Sequence, residues 1–80
     1  MADNCRDEVL AALTRLETRH GRHVFRLAEI VAEVKAAGTQ YRDATIQTHV
    51  GSRMCSNAPD HHAVVYDDLV RVATGQYRRA

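Results

Sequence analysis

"LVRVATGQYRR" (residues 69–79) closes the chain one residue short of its end. Leu69, Val70 and Val72 form a β-prone run, Ala73, Thr74 and Gly75 supply a glycine-containing turn, and Gln76 to Arg79 return as a second strand. The stretch predicts a C-terminal β-hairpin. It decides the fold, because the strongest periodic signals upstream of it are helical.

In "DNCRDEVLAALTRLETRHG", Val9, Leu10, Leu13 and Leu16 recur at the spacing of one helical face. Asp3 or Asn4 can cap this helix, Asp7 and Glu8 suit its first turn, Arg19 and His20 its last, and Gly21 ends it. "HVF" (residues 23–25) is too short for a helix and reads as a short extended strand. Leu27, Ile30, Val31 and Val34 then mark a second amphipathic helix, which lacks a good N-cap at Arg26 and stops at Gly38. A third helix spans residues 43–56, capped by Asp43 and closed by Asn57, Ala58 and Pro59. Residues 60–68 carry no clear pattern. The predicted class is α+β, mainly α. Three helices, a short strand between the first two and a C-terminal hairpin make a winged helix-turn-helix, with "GTQYR" (residues 38–42) as the turn between helices 2 and 3.

The faces of the third helix follow from 100° per residue. Ile46, Val50 and Met54 fall on one stripe and face the core, with Phe25, Leu27, Ile30 and Leu13 as partners. The opposite face carries Ala44, Thr45, Thr48, Gly51, Ser52 and Cys55, all small, while His49, Arg53 and Gln47 lie at its borders. An idle solvated face usually carries Lys and Glu. A small, hydroxyl-bearing one lets a helix lie deep in a major groove, or alternatively pack tightly against another protein. Arg71 and the Arg78–Arg79 pair bracket the hairpin turn, where arginines engage phosphates or remain solvated strand-end charges.

Eighty residues make one domain, residues 1–80, and a chain this short buries about 60% of its unfolded surface. A 45% hydrophobic fraction is ordinary for a globular protein, and a 26% charged fraction speaks against disorder. No run reaches the ~20 apolar residues of a membrane span, no signal peptide is recognisable, and Cys5 and Cys55 are too sparse for a disulfide framework. The expectation is a cytoplasmic protein with reduced cysteines. Eleven Lys plus Arg against ten Asp plus Glu leave a net charge of +1, so any nucleic-acid contact has to be directional or shared with a partner. Ten of the eleven bases are Arg, which favours bidentate contacts over a diffuse cationic cloud.

Five histidines raise the question of a metal, but Cys55, His61 and His62 match no zinc spacing, and there is no Cys-x₂-Cys pair. His49 and Cys55 sit 120° apart on a regular helix and form no nucleophile pair. Neither a cofactor nor enzyme activity is expected. His61 and His62 are loop residues, phosphate contacts or pH-sensitive groups at most. Tyr41, Tyr66 and Tyr77 are expected half-buried, spread over too many elements for a single-strand stacking groove.

Tyr41, Thr45-Ile46, Thr48-His49-Val50, Ser52-Arg53-Met54-Cys55, Asn57-Ala58-Pro59 and Arg71-Val72…Gly75…Tyr77-Arg78 together resemble small bacterial winged-helix domains of actinobacterial type, found alone or beside restriction-type nucleases. The resemblance implies double-stranded DNA binding, with residues 45–53 as recognition helix and residues 71–78 as wing, in a transcription regulator or a DNA-targeting module; it also raises the idea of a reader of modified DNA. Thr45, Thr48, Ser52 and His49 are then expected to line the groove, Gln47 and Arg53 to read bases, and Arg42, Arg71 and Arg78 to hold phosphates. A homodimer would double the contacts. The rival expectation is a protein-interaction module using the same small-residue face. Neither a membrane nor a small-molecule substrate is expected as partner.

Overall fold

The computed structural model of the chain describes residues 4–57 and 66–80. Asp3, Ala58, Pro59, His61 and His62, each given a role above, lie outside them.

Helix α1 runs Cys5–His20. The Asn4 side chain accepts the Asp7 backbone N–H at 2.8 Å, and Gly21 closes the helix at φ 64°, donating its N–H to Glu17 O at 2.9 Å. Its inner face is Cys5, Val9, Ala12, Leu13 and Leu16, with Leu10 only half-buried at the border. Strand β1 is Phe25–Arg26, later than the expected residues 23–25. The reason is Phe25: its ring is fully buried, so pairing starts where the core takes hold, while Arg22 and His23 stay exposed in the turn.

Helix α2 spans Leu27–Ala36 and buries Ile30, Val31 and Val34. Arg26 provides no cap through its side chain. Glu29 compensates, accepting the Arg26 backbone N–H at 2.9 Å as half of a capping box.

The third helix departs from its predicted form. Helix α3 is α-helical only over Asp43–Thr48; a π-helical turn follows over His49–Arg53, closed by Met54 N–H donating to His49 O at 2.7 Å. The N-cap is Arg42 rather than Asp43, whose carboxylate pairs instead with Lys35 at 3.2 Å. A π turn places one more residue in its turn than an α turn does, so everything after it is rotated. Ile46, Val50 and Met54 still reach the core as expected. Cys55 does not stay on the outer face. It is buried and forms a parallel bridge with Leu69, with Leu69 N–H to Met54 O at 2.8 Å and Ser56 N–H to Leu69 O at 2.7 Å.

Strands β2 (Leu69–Ala73) and β3 (Gln76–Arg79) form the predicted hairpin, turning at Gly75 with φ 69°. The sheet is antiparallel in the order β1-β3-β2, pairing Phe25 with Tyr77, Val70 with Arg78 and Arg71 with Tyr77. The register slips between Arg71 and Ala73, leaving Val72 as a bulged residue that is 45% exposed. Tyr77 is not half-buried but sealed, 6% exposed, in the same core as Phe25, Leu13, Ile30 and Met54. Both cysteines are free, buried thiols; burial, with Glu8 nearby, pushes Cys5 above the usual thiol range. Among the described residues no helix is long and apolar enough to cross a membrane.

Candidate nucleic-acid interface

Arg42, Gln47, Thr48 and Arg53 are exposed on and around α3, and Thr45, His49 and Ser52 are half-buried. A shallow depression brings together Ala44, Thr45, Thr48, His49 and Arg53; Gln47 and Ser52 do not line it. Two of these side chains are committed to the helix backbone. Thr48 donates its hydroxyl to Ala44 O at 2.9 Å, which leaves its oxygen free only to accept. His49 Nδ1 lies 3.0 Å from Thr45 O. A carbonyl can only accept, so Nδ1 carries the proton, and Nε2 is the ring atom left for a ligand: an acceptor on neutral imidazole, a donor on the cation.

The rotation imposed by the π turn removes two residues from the face predicted for this helix. Cys55 is buried at the outer edge of β2, bridged to Leu69. Gly51 faces the sheet: a Cβ built on it would meet the Tyr77 hydroxyl at 3.5 Å.

The hairpin sorts its three arginines. Arg79 is tied to α1, with Nε 3.0 Å from Glu17 and Nη2 donating to Thr14 Oγ1 at 2.7 Å and Leu10 O at 3.2 Å. Arg71 and Arg78 are exposed. The register sets Arg71 opposite Tyr77 and Arg78 opposite Val70, so the pleat directs them to opposite faces of the ladder. Arg71 shares the face of Tyr77, toward the π turn; Arg78 shares the outer face with Val70.

Carboxylates elsewhere in the fold, and Asp43 at the start of α3, neutralise other cations. Arg6 grips Asp68 through two bonds of 2.7 and 2.8 Å and lies over the Tyr66 ring at 4.3 Å. Arg15 and Arg19 on α1 both hold Glu33 on α2 at 2.8 Å, pushing its carboxyl from 4.5 down to about 2, with the Arg19 hydrogen bond the largest cause and Arg15 next. Arg22 pairs with Glu29 at 2.6 Å, Lys35 with Asp43 and Arg79 with Glu17. Among the described residues, Arg26, Arg42, Arg53, Arg71 and Arg78 make no ion pair. Four of the five are arginines that the sequence placed at the interface.

Two residues at this site are not among those expected there from sequence. Arg26 pairs with Gln76 beside the hairpin turn, where Leu27 N–H donates to Gly75 O at 2.9 Å. Asn57 bonds through its side chain to both backbone groups of Arg71. Neither carries a local signal: Arg26 reads as a helix start and Asn57 as a helix stop.

Three helices, a strand between the first two and a hairpin that completes a β1-β3-β2 sheet define a small α+β domain of winged-helix type. The chain belongs to the family described as "Domain of unknown function (DUF7669)", whose model matches residues 8–79. No curated protein and no solved structure matches it.

Proposed function

We propose that the domain binds double-stranded DNA, with α3 and its π turn in the major groove and the β2–β3 hairpin as wing. The observation that carries this reading is the partition of charge. Among the described residues six of the eleven cations are held by carboxylates, and the five arginines left without one lie at the start of α3 (Arg42), in the π turn (Arg53), on the hairpin (Arg71, Arg78) and on β1 beside the hairpin turn (Arg26). A chain of net charge +1 thus offers phosphates a set of arginines around α3 and the hairpin without being a cationic protein. Arg42, Arg71, Arg78 and Arg26 are the phosphate contacts of this reading. Arg53 and Gln47 are its base readers, and Thr45, Thr48, His49 and Ser52 line the groove side. The activity is binding, without catalysis or a cofactor, and fits a cytoplasmic transcription regulator or DNA-targeting module acting alone or as a homodimer.

The test is a titration of the purified chain against mixed-sequence duplex DNA across rising salt. Each neutralised phosphate contributes about 0.9 to the slope of log K against log salt, so four phosphate contacts give a slope of about −3.6 per protomer. Thr48→Glu puts a carboxylate on an exposed position of α3 and should abolish binding while leaving the melting transition in place. The rival reading is a protein-docking module that uses the small-residue face of the third helix, where Ala44 and Thr48 are exposed and Thr45 and Ser52 half-buried. Absence of any salt-sensitive duplex complex would favour that reading and contradict the proposal.

A further inference from the structure

We propose that Asn57 is a positioning residue for the DNA contact of Arg71, a step that rests on the DNA-binding reading above. β2 is an edge strand of the sheet, and its outer edge is closed by the segment leaving the third helix. Along that edge Leu69 donates its N–H to Met54 O and accepts at its carbonyl from Ser56 N–H, the two bonds of a parallel ladder centred on Cys55. The next rung would pair Arg71 with main-chain groups on either side of Asn57. The side chain makes that rung instead. Arg71 N–H donates to Asn57 Oδ1 at 2.9 Å, and Asn57 Nδ2 donates to Arg71 O at 3.0 Å.

The orientation of the carboxamide is not arbitrary. A backbone N–H needs an oxygen and a backbone carbonyl needs an amine, so only one of the two amide flips satisfies both bonds. The buried Cys55 thiol adds a third restraint, donating to Asn57 Oδ1 at 3.0 Å. Leu69 and Arg71 therefore turn their backbone groups outward to this clamp, while Val70 turns its own inward to pair with Arg78. One residue beyond the clamp the strand bulges at Val72 and the regular register is lost. Arg71 is thus the last residue of β2 before the bulge, and Asn57 fixes its backbone to the exit of the third helix. The guanidinium then extends from a base that moves with the π turn rather than with the hairpin tip. The alternatives Gln or Asp cannot replace Asn57: Gln is one methylene too long to make the same rung, and Asp lacks the donor for Arg71 O.

Two readouts test this on the intact chain. In Asn57→Ala, hydrogen exchange at the Arg71 amide should accelerate at least tenfold with α1 amides unchanged. The slope of log K against log salt for mixed duplex should also fall by about 0.9, as in Arg71→Ala, with the double variant no lower than either single one. If Arg71→Ala lowers the slope and Asn57→Ala does not, the positioning role is overturned while DNA binding stands. If Asn57→Ala unfolds the chain, the side chain serves global stability and the proposal fails. If Arg71→Ala leaves the slope unchanged, Asn57 positions nothing that meets phosphate, which also overturns it. A wild-type chain that binds no duplex overturns the DNA reading and this inference with it.

Discussion

Gly51 sits in the π turn with the Tyr77 hydroxyl where its side chain would point, at 3.5 Å from a built Cβ. That distance is ordinary van der Waals contact, and the residue is not in the left-handed region, so an alanine fits there without strain. Glycine inside a helix costs about 0.5–1 kcal/mol relative to alanine. Gly51→Ala should therefore stabilise the domain by roughly that amount, raising its melting temperature by about 2–8 °C for a chain of this size. Gly51→Val should lower it, because the branch runs into Tyr77. A loss of stability in the alanine variant would place Gly51 on a different face. From sequence alone this glycine reads as part of a smooth groove-facing surface; its true neighbour is 26 positions away in the chain (77 − 51), and no local pattern points to it.

At the level of elements, what could be read early is what local chemistry determines. Helix α1 has its cap at Asn4 and its stop at Gly21, and the hairpin has β-prone residues on either side of Thr74-Gly75. The π turn has no such marker. It is set by tertiary demands: Met54 and Cys55, consecutive in sequence, are both buried, and both neighbour β2. Both follow the π turn, whose extra residue shifts where the chain leaves the helix, while Ile46 and Val50 stay inside. The contact between α1 and α2 carries its own pH signature. Glu33 is held near 2 by Arg19 and Arg15, below its ordinary 4.5. A folded-state pKa lowered in this way adds stability that is complete above 4.5 and lost as pH falls toward about 2. The denaturant midpoint should fall across that window, and less steeply in Glu33→Gln. Some slope should survive in the variant, since Glu29 is also lowered, first by its hydrogen bond from Arg22. Identical acid profiles for the two proteins would show that Glu33 does not couple the helices.

Across the whole molecule, the net charge of +1 hides how the charges are arranged. Arg6 meets Asp68 and Arg79 meets Glu17 across 62 positions of sequence, so no window of the chain reveals which arginines are neutralised. Residue type and position on the third helix and hairpin are enough to nominate Arg42, Arg53, Arg71 and Arg78, but not to show that among the described residues they make no ion pair, nor that Arg79 is tied to α1. The same arrangement splits Arg71 and Arg78 between the two faces of the hairpin, so the proposed duplex on α3 would meet Arg71 from the inner face and Arg78 only by wrapping past the hairpin. The most direct measurement is a residue-by-residue map of amide chemical shifts during titration with mixed duplex DNA at low salt. The charge partition predicts shifts over residues 42–53 and 69–78 and at Arg26, with the amides of Arg15, Arg19 and Glu33 unmoved. Shifts centred on the α1–α2 face, or no shifts at any DNA concentration, would contradict it.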